Sequence, residues 1–239
     1  PMAAAERFLS EIAEGEWPRP AGAAVSRLAV SLHGSLAFTG VGHATDRAVI
    51  LGLQGLTPVS VDPDKADEIL DGIRQEKRLL PPGHPGYRFD PEIDLVFDRK
   101  VPLPGHANGM VFSAFDADDR LLLRRVYYSV GGGFVVSEEE LQMLKERKGP
   151  AVDRSVPYPF ANAREMLEMA AHGHLSIAQM KRANELVYRS AEELDAGLDR
   201  IWEAMNACME RGLKQEGVMP GGLKVRRRAR QLHEKLQEE

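Results

Sequence analysis

The chain has 239 residues, 43% of them hydrophobic, which is enough to fill one large core or two small ones. Its 36 acidic and 31 basic residues leave a net charge of −5, arguing against a general polyanion binder. No apolar run reaches membrane-spanning length, no charged-then-apolar leader precedes a cleavage site, and the single cysteine, Cys208, excludes both an internal disulfide and a Cys-rich metal cage built from this chain alone. These features predict a cytoplasmic protein that binds neither nucleic acid nor membrane. A chain that opens on Pro1 and closes at Glu239 inside a charged helical pattern is expected to be a fragment.

Met2 to Glu14 carries Ala5, Phe8, Leu9 and Ile12 at helical spacing, ended by Gly15 and the Pro18/Pro20 pair. Val25, Leu28, Val30 and Leu32 then alternate as in a strand with one face in a core. From His33 to Asp46 the pattern changes to a glycine loop. Gly34, Gly40 and Gly42 allow positive φ and close approach, and Thr45 caps a following apolar helix with Asp46 in its first turn. His43 is thereby held at the mouth of a helix. Val59 to Val61 reads as a short strand, and Asp62-Pro63 as the cap and first turn of a helix running to about Leu80. Pro81 to Pro91 is a loop. Period two returns in Ile93, Leu95 and Phe97, then in Met110, Phe112 and Ala114, and again in Leu121, Leu123, Val126 and Tyr128. Asp116 to Asp119 turns the last two into an antiparallel hairpin. A second glycine loop, Gly131 to Gly133, leads to Ser137-Glu-Glu-Glu140, the form of a capping box.

After Lys148 the composition shifts. Gly149-Pro150 and Ser155 to Phe160 make a proline-punctuated linker, and all later segments have helical period: Ala163 to Ala171, Ser176 to Tyr188, and Ala191 to Leu213. On the third, Leu194, Leu198, Ile201, Trp202, Met205, Cys208 and Met209 form one apolar face, so Cys208 is expected to be a small core residue. Lys224 to Arg230 is a basic run on an expected helix, read as a solvated or interdomain face in preference to a nucleic-acid arm because no aromatics interleave it. The predicted class is α+β: a mixed sheet-and-helix domain over residues 1–154, then an incomplete all-helical segment over 155–239.

Three polar clusters fall where regular structure stops: His43 in its glycine loop, His106-Ala-Asn108 before a strand, and Ser129 at a strand end. Each has a structural explanation, since Asn108-Gly109 is a common turn signal and a serine can satisfy local backbone groups. Strand ends and glycine loops of one sheet can also converge on one cleft, which makes His43, His106, Asn108 and Ser129 the candidate site.

The string Gly34-Ser-Leu-Ala-Phe-Thr-Gly-Val-Gly-His-Ala-Thr-Asp46 resembles the iron–sulfur-dependent L-serine dehydratases. The likeness continues in His106 to Met110, Tyr127 to Phe134, Ser155 to Phe160, Asn184-Glu185, and Glu216 to Val225 with Arg227 to Ala229. It implies an α+β domain similar to the serine-sensing domain of some phosphoglycerate dehydrogenases, followed by the start of a helical catalytic domain. It also implies a homodimer that converts L-serine to pyruvate and ammonia with a [4Fe–4S] cluster. In that likeness His43 is the best candidate for the base, and His106, Asn108 and Ser129 orient the substrate's carboxylate or amine or aid proton movement. An imidazole suits proton abstraction near neutral pH. The family's Ser-Ser-His-Thr segment and cluster cysteines have no counterpart here, so this chain alone is expected to hold no cluster and to show no turnover; Val41 stands where many members carry lysine. The alternative is a non-catalytic module that binds or senses L-serine. A third reading is a nucleic-acid or partner binder acting through Lys224 to Arg230.

Overall fold

The computed structural model describes residues 1–146, 155–219 and 223–238. They fall into two compact units, the first being Pro1–Glu146 with Leu223 and Lys224, the second the remaining described residues.

In the first unit, α1 (Met2–Glu14) precedes β1 (Arg27–Gly34), then α2 (Ser35–Thr39), α3 (Thr45–Leu53) and α4 (Ala66–Glu76). The strands β2 (Arg78–Leu79), β3 (Tyr87–Arg88), β4 (Leu95–Asp98), β5 (Asn108–Phe115), β6 (Leu121–Gly131) and β7 (Phe134–Ser137) follow, and α5 (Glu138–Glu146) ends the run. The sheet is mixed. β1 is central, antiparallel to β5 along one edge and parallel to β3 and then β4 along the other. β5, β6 and β7 continue as antiparallel neighbours. The expected α+β class is what is found.

Alternation decides which side each strand residue serves. Leu28, Val30 and Leu32 of β1, Met110, Phe112 and Ala114 of β5, and Leu123 and Tyr127 of β6 join the large core with residues of α1, α3 and α4. Phe8 of α1 meets Phe112 at 5.4 Å between ring centroids, and Phe112 meets Tyr127 at 5.7 Å. Burial of such a ring contributes about 1.5–3 kcal/mol. Gly15 ends α1 in the left-handed region at φ 67, its N–H donating to the Glu11 carbonyl. On the opposite face Val111, Val126 and Tyr128 pack with Leu141 of α5. The capping box of α5 forms as its sequence predicts: Glu140 N–H donates to Ser137 Oγ at 3.1 Å and Ser137 N–H to Glu140 Oε2 at 2.7 Å.

Several expectations are corrected. Residues 35–39 form a short helix instead of loop, because Ser35 N–H finds the Ala107 carbonyl and the chain can turn helical at once. Thr45 is the first residue of α3 and buried; Ala44, left-handed at φ 54, holds the cap position with no side-chain bond. Val59 to Val61 is a turn, with Val59 96% exposed and so without a core to face. Asp62 Oδ1 accepts from Asp64 N–H in a turn ahead of α4 and does not cap that helix. β7 is a strand where only loop was expected, its hairpin closed by glycines at positive φ.

The second unit contains α6 (Ala163–Gly173), α7 (Ile177–Glu185), α8 (Ala191–Lys214) and α9 (Ala229–Glu238). Ser176 with Gln179 and Ser190 with Glu193 make full capping boxes at α7 and α8. Asn184 is buried and clasps the Tyr158 backbone, accepting from its N–H and donating to its carbonyl, both at 2.9 Å. Arg182 pairs with Asp195 through two bonds of 2.6 and 2.9 Å. The run 224–228 is not helical; α9 starts at Ala229, and Arg226 is in a bridge with Val218. Cys208 is exposed and not a core residue, along with most of the apolar face of α8. The expected linker at Gly149-Pro150 and the stretch Pro220–Gly222 lie outside the described residues.

Candidate active site

Register brings the end of β1 and the start of β5 level with Ser129, which lies two residues inside the end of β6 and not at a strand end as expected. Gly34 of β1 stands opposite Asn108 of β5, and the next pair along β5 and β6 after Gly109 and Tyr128 would set Asn108 beside Ser129. By alternation Gly34, Asn108 and Ser129 share the face of the large core, at the sheet end beyond its last apolar layer. Asn108 Nδ2 donates to the Ser129 carbonyl at 3.2 Å, locking the pair. Among the described residues, neither Asn108 Oδ1 nor Ser129 Oγ makes a hydrogen bond, so both are available to a ligand.

Gly34 is the corner on which the site turns. It sits at φ 58, and a Cβ there would lie 2.3 Å from the Ala107 carbonyl oxygen. Ser35 N–H donates to that same oxygen at 2.7 Å. The start of α2 is thus pinned to the His106-Ala107 turn. Gly40 and Gly42 do not use positive φ; they allow close approach. A Cβ on Gly40 would meet the Leu36 carbonyl oxygen at 2.3 Å and the Phe97 ring at 2.9 Å, and one on Gly42 would meet Leu223 at 3.1 Å.

His43 is exposed just past α2, and its Nδ1 lies 2.9 Å from the Thr39 carbonyl oxygen. A carbonyl can only accept, so in the neutral ring Nδ1 carries the proton and Nε2 presents its lone pair to solvent. His106 is arranged the other way. Its Nδ1 accepts from Asn108 N–H at 3.1 Å, so in the neutral ring Nε2 carries the proton and can donate. In their neutral forms one imidazole thus presents an acceptor nitrogen and the other a donor. His106, Asn108 and Ser129 are joined by hydrogen bonds. Among the described residues no hydrogen bond joins His43 to them, and its link is through the backbone: β1, Gly34, α2 and the Thr39 carbonyl.

Two supporting features carried no sequence signal. Gly105 lies so close to Tyr128 that a Cβ would fall 2.4 Å from its ring, so the tyrosine sets the path into His106. His33 is buried, its Nδ1 2.7 Å from the Val101 carbonyl oxygen and its Nε2 2.7 Å from Ser31 Oγ, and serves to hold the loop after β4. Burial pushes the Tyr128 hydroxyl to a pKa above its ordinary value. Among the described residues no group of three or more His, Cys, Asp or Glu could hold a metal ion.

The sequence that builds this α+β frame has counterparts in known proteins. Residues 1–140 match the family described as Serine dehydratase beta chain, and residues 162–239 match Serine dehydratase alpha chain. The chain belongs to the serine dehydratase family. It is 40% identical over 239 residues to an L-serine dehydratase of Streptomyces coelicolor, covering 100% of this chain and 51% of that protein. Identity is 41% over 214 residues with L-serine dehydratase TdcG of Escherichia coli, covering 89% and 46%, and 36% over 214 residues with an L-serine dehydratase of Helicobacter pylori, covering 89% and 46%. The chain spans about half the length of the curated relatives it matches.

Proposed function

We propose that this chain supplies the proton-abstracting half of an L-serine dehydratase, an ammonia-lyase converting L-serine to pyruvate and ammonia. The observation that carries this reading is the exposed imidazole of His43, fixed in direction by the Thr39 carbonyl so that in the neutral ring Nε2 presents its lone pair, in a chain of the serine dehydratase family. His43 takes the Cα proton; the freed electron pair forms the Cα–Cβ double bond as the Cβ–O bond breaks, and the departing hydroxide takes up a proton from solvent and leaves as water. The enamine so formed rearranges to an imine, and water converts that to pyruvate with release of ammonia. His106 Nε2–H donates to the substrate carboxylate, while Asn108 Oδ1 and Ser129 Oγ accept from its ammonium group.

The [4Fe–4S] cluster implied by the resemblance does not fit the residues of this chain. Such a cubane takes several thiolates, and the sequence has one cysteine, exposed on α8. In this proposal the cluster and its ligands belong to the portion of the relatives' length not spanned here. A cytoplasmic location, a homodimer, and the lack of nucleic-acid or membrane partners are parts of the same proposal. In its favour, no described helix is long and apolar enough to cross a membrane, and Arg230 of the basic run is already engaged by Glu216 and Glu234. A purely sensing module has less support, because the curated relatives matched are dehydratases.

The test is pyruvate formation from L-serine, without oxygen, by this chain co-expressed with the second half of the Streptomyces coelicolor relative. His43→Asn should lower the rate by about 10²–10⁴-fold, the usual contribution of a general base, with the cluster's visible absorption unchanged. Near-full activity in that variant would remove His43 from the role.

A further inference from the structure

The 24 residues of α8 expose a stripe that a folded unit does not ordinarily leave open. Leu198, Ile201, Trp202, Met205 and Met209 recur at intervals of three and four and are 53%, 60%, 59%, 54% and 51% exposed. Cys208 is exposed on the same face. Only Leu194, near the start of the helix, is buried. A contiguous apolar face of this length on an otherwise capped helix marks an interaction surface.

We propose that this stripe of α8 is the docking surface for the second half of the family's polypeptide, the part of the relatives' length that this chain does not span. Three observations select that occupant. Relatives matched across the whole of this chain carry about as much chain again. The alpha-chain match runs through α8, so the stripe belongs to the segment that the rest of the alpha chain would complete. Charge disfavours a second copy: Asp199, Glu203 and Glu210 line one flank of the stripe at helical spacing. In an antiparallel pairing of two α8 helices across a two-fold axis, that flank would meet itself. A partner helix with basic residues beside its own apolar seam is the complement. This inference rests on family membership and on α8, not on the chemistry assigned to His43.

The experiment is co-expression of this chain, tagged, with the second half of the Streptomyces coelicolor relative as a separate polypeptide. The expected result is a one-to-one complex in which Trp202 emission shifts to the blue and resists acrylamide, a change missing in Trp202→Phe. Ile201→Glu with Met205→Glu should abolish the complex and leave the circular dichroism of the tagged chain unchanged, since both side chains are exposed. Failure to co-purify, a complex that survives the double substitution, or a self-dimer whose shielding of Trp202 persists beside the second half would each overturn the proposal. A single polypeptide joining the two halves gives an independent reading: Trp202 shielded there supports the proposal, and Trp202 as accessible as in the chain alone defeats it. No outcome depends on catalysis.

Discussion

His43 and Gly34 show how much of a site is set by backbone atoms. The direction of the His43 imidazole comes from the Thr39 carbonyl, and the place of Thr39 comes from a corner at Gly34 that no side chain could occupy. Gly34→Ala forces both a left-handed conformation and a Cβ 2.3 Å from a backbone oxygen, so it should cost more than about 1 kcal/mol in urea unfolding followed by Trp17 fluorescence. Gly42→Ala is the control. Its φ is ordinary and, among the described residues, its tight neighbour is the flexible end of Leu223, so a shift smaller than that of Gly34→Ala is expected. Equal effects would show that the corner is not strained. The four candidate residues were visible in the sequence because polar side chains beside glycines break an apolar pattern. Their opposite imidazole tautomers were not, because each depends on a backbone group, the Thr39 carbonyl in one case and the Asn108 N–H in the other.

Elements are held to the sheet by apolar stripes and aimed by a few ion pairs. Phe8, Leu9 and Ile12 give α1 its buried face, while Arg7 reaches Glu140 of α5 at 2.8 Å and Glu11 takes Arg125 at 2.5 Å and the Tyr127 hydroxyl. The bond from Arg7, together with that from Ser137 N–H, holds the Glu140 carboxyl below its ordinary 4.5. A depressed folded value means that the protonated carboxyl binds its proton less tightly in the fold. The contribution is therefore complete above pH 4.5 and is lost as the pH falls through the lower folded value. Both side chains are substantially exposed, so the effect is modest. Arg7→Leu should narrow the difference in unfolding midpoint between neutral pH and pH well below 4.5; an unchanged difference would remove this pair from the acid limb. At this scale periodicity was legible where a face meets a core, as in α1 and the β5–β6 hairpin. It misled at Val59 to Val61, where Val61 packs against the core but Val59 is exposed and the chain turns between them, and β7 was hidden because four residues after three glycines carry too little pattern.

Across the whole chain, burial is divided very unevenly. Both apolar clusters, from Ala4 to Leu141, belong to the first unit, whereas the described residues of the second bury only Met180, Asn184 and Leu194. The composition could say that enough apolar residues exist for a core, and the spacing could say that α8 has an apolar face, but neither could say what covers that face. Cys208 was misplaced for that reason: helical spacing fixes which residues share a side, and burial is a property of the neighbour. The two units should therefore differ in stability, although α6, α7 and α8 of the second carry side-chain caps that α1 to α4 of the first lack. Helices in proteins draw most of their stability from the packing of an apolar face, which α8 lacks after Leu194. Native-state hydrogen exchange of this chain alone should find the amides of β1, β5 and β6 slowest, opening only with the first unit as a whole, and those of α8 after Leu194 faster by orders of magnitude. Adding the second half of the relative should slow exchange in α8 and leave β5 unchanged. Protection in α8 equal to that in β5, measured on a monomer, would mean that the second unit already owns a sufficient core and that its exposed stripe has no stabilising partner to wait for.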